Sequence, residues 1–540
     1  MQGSTSDYNL LRAFVRNCRR SMRRPKVADT SGAAELTGGT LLMKALVFKR
    51  LLEREILAPD EKFVGLLLPP SIGGVLANVA LPMAHRVAVN LNYTASSDIL
   101  NSCIAQCGIR QVLTSRRVLQ KMKLELNARI VFLEDFRDKV TLGDKIVAAV
   151  QAFATPAPIL ERWLGIDRIQ PNDLLTVLFT SGSTGEPKGV MLSHANVGSN
   201  VDSMNQVVHL TENDVAVGVL PFFHSYGYTA TLWTMLALKP KGVYHFTPLE
   251  AQVVGDLARK HRATILMATP TFLRNFLKRC EPEDFAAVDV VFASAERLPS
   301  ELSDAFEKKF GVRPVEAYGA TELAPLVAVN VPESRSPSKD RSGVREGTVG
   351  RPIPGVRAKV VHPETFEPLS PGEPGMLLIT GPNVMQGYLK RPDLTAEVLR
   401  DGWYVTGDIA LIDDDGFIKI TGRESRFSKI GGEMVPHIKI EETLQRVLSC
   451  DEDEIKAVVT AVPDTRRGER IVVLHTHLDR TPDEVCRDLA EAGLPLLWVP
   501  SPDSFIEVAE IPVLGSGKLD LKAMKDRAAE HFQPATAATR

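Results

Sequence analysis

Thr180-Ser181-Gly182-Ser183-Thr184-Gly185-Glu186-Pro187-Lys188-Gly189 is the stretch from which the rest of the chain can be interpreted, and it follows an apolar run, Leu174 to Phe179, that predicts a buried strand. Its glycines let backbone N–H groups turn toward a ligand, its hydroxyls add hydrogen-bond donors, and Lys188 adds a positive charge. This combination predicts a polyphosphate-binding loop. The stretch is not a common P-loop, because Gly185 is followed by Glu-Pro and not by Lys and a hydroxyl residue. A flexible Gly/Ser linker is the alternative, although a linker rarely follows a buried strand this closely.

The order of residues in this stretch resembles the phosphate-loop signature of the adenylate-forming (AMP-binding) superfamily, which includes acyl-CoA synthetases, luciferases and the adenylation domains of peptide synthetases. The resemblance implies that ATP activates a carboxylate as an acyl-adenylate, whose acyl group then usually passes to a thiol. It also implies ATP contacts throughout the loop, with a catalytic role for Thr184. The loop residues expected to bind ATP are Thr180, Ser181, Gly182, Ser183, Thr184, Gly185 and Lys188.

Composition and charge are those of an ordinary globular enzyme. The chain has 540 residues, of which 44% are hydrophobic and 24% charged, and its formal net charge is −2. Its length predicts about two to four structural units, and the small net charge gives no general attraction to nucleic acid or to an anionic membrane. The six cysteines are scattered without a CxxC pair, which argues against a structural zinc site or a redox motif and is typical of a reducing cytosol.

The stretch from Val64 to Ala84 carries no charge and could be mistaken for a membrane span. Its prolines and paired glycines indicate a buried strand, a turn and a buried helix instead. No cleavable secretory signal is visible. We therefore expect a cytoplasmic protein.

The first 29 residues predict a separate basic leader. Arginines recur there at near-helical spacing and alternate with apolar residues, so that a basic amphipathic helix could lie on an anionic membrane and associate the protein with it. A solvated helix or a frayed leader is the alternative that we favour. The arginines concerned are Arg12, Arg16, Arg19, Arg20, Arg23 and Arg24.

From Phe63 onward, short apolar runs alternate with helical patterns, which predicts an α/β fold with parallel sheets and helices on both faces. We expect a large domain of doubly wound sheets over residues 30–424, with a β-rich subdomain in the Pro/Gly-rich text from Gly347 to Gly387. A small, mobile α+β domain follows over 425–540. The predicted strands are Val64–Leu68, Arg129–Leu133, Leu174–Phe179, Val215–Leu220, Thr264–Met267 and Val288–Ala293. The predicted helices are Ser97–Gln106, Ala195–Val208, Glu250–His261 and Ser300–Phe310.

Leu220-Pro221-Phe222-Phe223-His224-Ser225-Tyr226-Gly227 comes after a predicted strand. A histidine among aromatic residues can line a substrate pocket, although a satisfied core histidine is an equally good interpretation of the residues alone. In the family that the chain resembles, this motif shapes the acyl pocket. The resemblance therefore implies that Phe223 and His224 bind the acyl substrate.

Tyr318-Gly319-Ala320-Thr321-Glu322 follows a strand predicted from Pro314 to Ala317. An aromatic ring can stack on adenine, and a carboxylate can hold Mg²⁺ directly or through water; a simple turn is the alternative. The five residues match the family motif Tyr-Gly-x-Thr-Glu. The resemblance implies that the first four contact the nucleotide and that Glu322 is both catalytic and the metal ligand. Upstream, Ser294-Ala295-Glu296 resembles the adenine-contacting turn, which makes Ala295 and Glu296 nucleotide-binding candidates.

Three further motifs extend the resemblance to about residues 30 to 530. Asp408, in Trp403-Tyr404-Val405-Thr406-Gly407-Asp408, matches the acid that accepts hydrogen bonds from the ribose hydroxyls, and Arg423 matches an arginine near ribose and phosphate. Lys518, on the turn Leu514-Gly515-Ser516-Gly517, matches the C-terminal lysine that steadies negative charge in adenylation and touches the nucleotide. Ser425 occupies the position of the hinge, where Asp or Lys is usual.

The resemblance is greatest to long-chain acyl-CoA and acyl-[acyl-carrier-protein] synthetases, including the synthetase half of bifunctional lysophospholipid acyltransferase/synthetases. It implies a fatty acid substrate, ATP and Mg²⁺, and either coenzyme A or acyl carrier protein as acceptor and partner, without nucleic acid. An aryl or amino acid substrate and a non-catalytic acyl-nucleotide-binding protein are the alternatives. His209 and Asp214 also fit the His-x4-Asp pattern of glycerolipid acyltransferases, which we attribute to chance.

Overall fold

The computed structural model of the chain describes residues 8–30, 35–181, 186–337, 343–423, 426–430, 433–448, 455–464, 468–513 and 519–532. Its helices are α1 Leu10–Arg20, α2 Gly38–Glu55, α3 Ile72–Met83, α4 Ser97–Cys107, α5 Arg116–Met122, α6 Leu142–Ala149, α7 Ala157–Trp163, α8 His194–Val207, α9 Thr234–Ala237, α10 Ala251–His261, α11 Pro270–Arg279, α12 Ser300–Phe310, α13 Pro392–Val398, α14 His437–Val447, α15 Pro482–Glu491 and α16 Leu521–Phe532.

The strands of the first half are β1 Pro25–Asp29, β2 Leu36–Thr37, β3 Phe63–Leu67, β4 Val87–Asn90, β5 Gln111–Thr114, β6 Arg129–Phe132, β7 Leu174–Ser181, β8 Pro187–Ser193, β9 Val215–Gly218, β10 Lys241–Tyr244 and β11 Ile265–Ala268. Those of the second half are β12 Val290–Ala293, β13 Val315–Gly319, β14 Leu326–Val329, β15 Arg351–Pro352, β16 Arg357–Val361, β17 Gly375–Thr380, β18 Gly387–Tyr388, β19 Leu399–Arg400, β20 Trp403–Ile412, β21 Ile418–Arg423, β22 Phe427–Ile430, β23 Glu433–Pro436, β24 Ala457–Asp464, β25 Gly468–His475 and β26 Phe505–Glu507.

Two large sheets form the centre of the fold, and both have the parallel inner strands that the alternating sequence pattern predicts. One sheet has nine strands in the order β15-β14-β13-β12-β11-β9-β10-β1-β2, and the other has seven in the order β18-β8-β7-β4-β3-β5-β6. A mainly antiparallel sheet follows, with the order β16-β17-β20-β19 and β21 paired to β20. The predicted α/β class, with doubly wound sheets and a β-rich subdomain, is confirmed.

The uncharged stretch from Val64 to Ala84 is part of the core of the seven-stranded sheet. It forms β3 and then α3, whose first turn is capped by the Ser71 hydroxyl accepting a hydrogen bond from the Gly74 amide. Within the described residues, no helix has the length and apolar content needed to cross a membrane. The prediction of a strand, a turn and a buried helix is therefore confirmed.

The predicted boundary after residue 29 has to be corrected, because residues 10–29 are built into the large domain. The apolar face of α1, including Phe14 and Cys18, is fully buried in the main core. Strand β1 pairs in parallel with β10, with Val27 opposite Gly242. The apolar face that a membrane-bound leader would need is thus occupied by the protein itself, and only the arginine-rich face of α1 is left for solvent.

A change of sheet accompanies the predicted boundary near Ser425, which itself lies outside the described residues. Strand β21 ends at Arg423 in the antiparallel sheet, whereas β22 begins at Phe427 in a separate sheet with the order β23-β22-β25-β24 and β26 on β25. Helices α14 and α15 pack on one side of that sheet and α16 on the other. Residues beyond 425 therefore have their own sheet and their own apolar cores.

Candidate active site

A large cavity of about 2210 Å³ is lined by residues of the two large sheets, the antiparallel sheet and the C-terminal part of the chain. Its wall includes the motif residues from the ends of β12 and β13, together with Asp408 and Arg423 from the antiparallel sheet. The C-terminal part of the chain contributes Ile438, Leu519 and Leu521. Motifs that are up to about 240 residues apart in the sequence are thus brought to one place.

Asp408 is a buried carboxylate held by two donors at the cavity wall. It is 4% exposed, lies directly opposite Arg423 in the β20–β21 register, and its Oδ1 is 3.0 Å from Arg423 Nε. The hydroxyl of Tyr318 donates a short hydrogen bond to Oδ2. Burial raises the pKa of Asp408, while Arg423 and Tyr318 act in the opposite direction. The pKa of Tyr318 is well above its ordinary value because of burial and the charge of Asp408, so its hydroxyl stays a donor.

Glu322 is linked to the phosphate-loop strands through Tyr388. The Tyr388 hydroxyl donates to Glu322 Oε1 at 2.8 Å, and β18 pairs with β8, the strand that carries Lys188. Lys188 Nζ lies 5.4 Å from the centre of the Tyr388 ring. In the β7–β8 hairpin, the backbone of Lys188 lies opposite that of Thr180. A cation, a carboxylate and the start of the loop therefore meet at one edge of the cavity.

The turn that presents Glu322 depends on Gly319. A Cβ added at Gly319 would lie 2.2 Å from the carbonyl oxygen of Pro325, so no other residue fits without moving the backbone. Tyr318 and Gly319 belong to β13 itself rather than following it, and Thr321 begins a short 3-10 turn that ends at Leu323. Ala320 and Thr321 also line the cavity.

Phe223 and His224 also line the cavity, and their contact with an acyl substrate stays a prediction. Phe223 is buried, and its ring packs edge-to-face on Tyr93 with centroids 4.8 Å apart. The next residue, Ser225, has its Oγ 3.2 Å from Thr321 Oγ1, which joins this motif to the nucleotide motif. The two segments form one continuous surface.

Ala295 and Glu296 line the cavity at the end of β12. Ala295 adopts a positive φ of 74°, a conformation that is uncommon for a residue with a side chain and is associated with functional turns. The Glu296 carboxylate accepts hydrogen bonds from the Thr271 amide at 3.1 Å and from its hydroxyl at 2.7 Å. Glu296 thus anchors the turn to the start of α11, and its contact with a nucleotide stays a prediction.

Several predicted residues fall outside the part of the chain that the structure describes. They are Gly182, Ser183, Thr184 and Gly185 of the loop, the hinge Ser425 and the lysine Lys518. Ser181 is described only by its backbone, which pairs with Pro187. The roles expected for all of these residues remain predictions.

Tyr388 and the apolar depth of the cavity were not anticipated from the sequence. Tyr388 belongs to a two-residue strand in Pro/Gly-rich text, where no periodicity marks a functional side chain. The apolar wall is supplied by residues distant in sequence, whose convergence a local pattern does not reveal. They are Met204, Val208, Leu210, Ala230, Met235, Ile265, Met267, Phe292 and Val329.

The acyltransferase interpretation of His209 and Asp214 finds no support in the site. Asp214 is 3% exposed, and its carboxylate binds Arg335 at 2.8 Å and the hydroxyls of Thr211 and Thr264. Neither His209 nor Asp214 is among the cavity-lining residues. Asp214 therefore joins segments of the large domain through an ion pair and hydrogen bonds.

Among the predicted site residues, Glu322 is the candidate metal ligand. No group of three or more His, Cys, Asp or Glu side chains suited to a metal occurs in the described part of the chain. Mg²⁺ is commonly held by one or two carboxylates together with substrate phosphates and water, so a single carboxylate beside a phosphate loop fits it. A carboxylate that accepts one hydrogen bond also retains lone pairs for a cation.

Comparison with known proteins gives a consistent set of similarities. The family model described as AMP-binding enzyme matches residues 14–389. A long-chain-fatty-acid–CoA ligase of Bacillus subtilis (strain 168) is 33% identical over 319 residues, which span 57% of this chain and only 54% of that protein. 4-Coumarate–CoA ligase 3 of Oryza sativa subsp. japonica is 30% identical over 382 residues, 68% of this chain and 67% of that protein. The solved structure of the ATP-bound RpMatB-BxBclM chimera B3 is similar with a TM-score of 0.76 and 25% identity, covering 97% of this chain and all of that one.

Proposed function

The chain belongs to the AMP-binding enzyme family, and we propose on that premise that it is an acid–thiol ligase which activates a carboxylic acid as an acyl-adenylate. The observation that carries the proposal is the buried Asp408 carboxylate, held by Arg423 and the Tyr318 hydroxyl beside Glu322 at the wall of one large cavity. A buried carboxylate in this position can accept hydrogen bonds from a vicinal diol, as a ribose would supply. The ATP-bound state of the similar chimera supports the same assignment.

The residues suggest how the first half-reaction would proceed. Asp408 and Tyr318 would orient the nucleoside, and Lys188 and the loop that it follows would hold the phosphates. The substrate carboxylate then attacks the α-phosphorus in line, an acyl-phosphate bond forms, and pyrophosphate leaves. Mg²⁺ bound at Glu322 would neutralise phosphate charge. Lys518 would steady the negative charge that gathers during this step.

The second half-reaction would transfer the acyl group to a thiol. The sulfur attacks the acyl carbon, a thioester forms, and AMP leaves. Rotation of the C-terminal domain about Ser425 would exchange the groups that face the cavity between the two steps. The relatives described as CoA ligases favour coenzyme A as the acceptor, and acyl carrier protein is the second candidate.

We propose a fatty acid as the substrate because part of the cavity wall is apolar. Met204 of α8, Met235 of α9, and Ile265 and Met267 of β11 contribute to this apolar part. Burial of an alkyl chain there would contribute about 0.8 kcal/mol for each CH₂. The bacterial long-chain-fatty-acid relative points the same way. An aryl acid is the second candidate, favoured by the 4-coumarate relative.

The test is acid-dependent AMP formation with ATP and Mg²⁺, run with coenzyme A and separately with holo-acyl carrier protein. We expect fatty acids of increasing length, compared with 4-coumarate, to support AMP release in the presence of one acceptor. Acid-dependent pyrophosphate exchange without AMP release in the presence of either thiol would show that the adenylate forms, but would refute coenzyme A and acyl carrier protein as acceptors. Absence of exchange with every acid would refute the ligase.

The site itself is tested by Asp408→Asn. Loss of a hydrogen-bonding charge costs about 1.5–3 kcal/mol, so kcat/KM for ATP should fall roughly tenfold to a hundredfold. Asp401→Asn is the matched control, because Asp401 is exposed, lies on the turn before the same strand and has a positive φ that asparagine tolerates. Equal activity of the two variants would contradict the role of Asp408.

A further inference from the structure

Exposed apolar side chains are concentrated in one short segment of the large domain. Fourteen large apolar side chains are exposed among the described residues, and seven of them lie within the 22 residues between Leu142 and Trp163. Leu142 is 73% exposed and Trp163 is 64% exposed. The seven residues are Leu142, Ile146, Val147, Val150, Phe153, Ile159 and Trp163. We call these seven side chains together the apolar face.

The apolar face lies on two helical pieces: α6, which continues into the π-helical turn Val150–Ala154, and α7, which begins after Thr155 and Pro156, two residues without helical backbone. Leu142, Ile146 and Val150 recur at intervals of four residues, and Phe153 follows three residues later, which puts them on the same side of the segment. The opposite side faces inward, where Ala148, Ala152 and Leu160 belong to the main core. The orientation is therefore set by the fold.

Ion pairs with the large domain fix the orientation of the segment, and they pair both of its carboxylates with arginines. Asp144 is 1% exposed and binds the guanidinium groups of Arg50 and Arg54 on α2. Glu161 is 3% exposed and binds Arg16 on α1 at 2.8 Å, with Arg12 at 3.3 Å. Both carboxylates of the segment thus point toward the protein.

The charge that remains outside is positive. The charged side chains exposed within the segment are Lys145 and Arg162. The neighbouring helix α1, whose Arg19 donates to the carbonyl of Gln151, adds the exposed Arg20. An apolar stripe with an interfacial aromatic residue and a basic border is the pattern of a segment that lies in the headgroup region of an anionic bilayer.

We propose that the apolar face binds peripherally to an anionic lipid membrane, with Leu142, Ile146 and Trp163 inserted among the lipids and Lys145 and Arg162 at the headgroups. A second copy of the chain is the competing occupant. In a two-fold dimer the same patch would meet itself, which would bring the basic residues of both copies together. The charge of the patch is complementary to phospholipid headgroups and not to itself.

Co-sedimentation of the full chain with vesicles tests the proposal without depending on enzymatic activity. We expect binding to vesicles of equimolar phosphatidylcholine and phosphatidylglycerol and much weaker binding to pure phosphatidylcholine. The triple variant Leu142→Ser, Ile146→Ser, Trp163→Ser should bind the anionic vesicles at least tenfold more weakly. The matched control is Val344→Ser, Ile455→Ser, Leu496→Ser, which removes three other exposed apolar side chains and should bind as the natural chain does.

The double variant Lys145→Glu, Arg162→Glu separates the electrostatic contribution and should reduce binding to the level seen with neutral vesicles. Unchanged melting temperatures would show that the variants fold. Failure of the natural chain to bind anionic vesicles, or equal binding by the two triple variants, would overturn the proposal. Light scattering could also overturn it, by showing that the natural chain is a dimer and that the Leu142→Ser, Ile146→Ser, Trp163→Ser variant is a monomer. The apolar face would then be covered by a second copy of the chain.

Discussion

At the scale of single residues, the candidate site depends on hydroxyl groups that orient carboxylates. Tyr318 holds Asp408, and Tyr388 holds Glu322 at 2.8 Å. The pKa of Tyr388 is raised above its ordinary value by burial and by the charge of Glu322, so its proton is kept and donated. The orientation of each carboxylate is therefore set by a neutral tyrosine hydroxyl, which leaves the negative charge of the carboxylate in place.

Replacement of Tyr388 by Phe tests this positioning role. Loss of a hydrogen bond to a charged group costs about 1.5 kcal/mol, so the Mg²⁺ concentration for half-maximal pyrophosphate exchange should rise roughly tenfold while the fold is kept. Tyr226→Phe is the control, since the Tyr226 hydroxyl lies in the same cavity but donates to the carbonyl of Phe292. An equal Mg²⁺ requirement in both variants would show that Tyr388 does not orient Glu322.

At the scale of elements, helix α1 belongs to the fold of the large domain and is not an appendage. Asn9 caps it by accepting a hydrogen bond from the Arg12 amide at 3.0 Å, and the Asn17 side chain donates to the carbonyl of Leu236 in α9. The next element, β1, extends the nine-stranded sheet. A helix fixed in this way contributes to the stability of the whole domain.

Phe14→Ala should lower the free energy of unfolding by about 3–5 kcal/mol, because it removes a fully buried ring and leaves a cavity. Arg20→Ala, on the exposed side of the same helix, should change it little. Urea unfolding of both variants gives the comparison. Similar midpoints for the two would mean that α1 does not pack in the core in solution.

Strand β13 carries a half-buried acid, Glu316, that makes stability depend on pH. Burial raises its pKa to about 7, although the Leu298 amide and the charge of Arg297 act in the opposite direction. The folded protein therefore keeps a proton that the unfolded chain releases above its ordinary pKa of 4.5, so this stabilisation is present below about pH 4.5 and is lost as pH rises to about 7.

The side chain in the Glu316→Gln variant cannot ionise. We therefore expect the variant to gain stability relative to the natural chain as pH rises from about 4.5 to 7. Its melting temperature should match that of the natural chain near pH 4.5, exceed it increasingly up to pH 7, and keep a constant margin above. Thermal unfolding at three pH values measures the difference. A margin that is independent of pH would contradict the assigned titration.

At the scale of the whole molecule, an ion pair joins the large domain to the C-terminal one. Arg297, just after the Ala295 turn, binds Glu442 on α14, and Lys439 lies 3.6 Å from the same carboxylate. In this arrangement Leu519 and Leu521 of the C-terminal domain line the cavity. The pair links the two domains in this arrangement, and we expect this arrangement to be the one used for adenylation.

Arg297→Glu should slow acid-dependent pyrophosphate exchange by up to about fivefold, in keeping with about 1 kcal/mol for an exposed pair. Adding Glu442→Arg should restore much of the rate, although the nearby Lys439 opposes full recovery. Thiol-dependent release of AMP from preformed acyl-adenylate should change less. A double variant that is slower than either single variant would exclude the ion pair as the cause.

The sequence by itself determined the α/β class, the alternation of strands and helices in the part of the large domain from Phe63 to Phe310, and the motifs around Tyr318, Asp408 and Arg423. These features are local, because the periodicity of apolar residues and short runs of glycine and hydroxyl residues reflect backbone geometry within a few residues. Only the tertiary structure decided that Tyr388 orients Glu322, that α1 is buried, and that the exposed apolar face lies on residues 142–163. Those features depend on which surfaces meet across hundreds of residues, and an amphipathic helix has the same sequence pattern whether its apolar side meets a core or remains exposed.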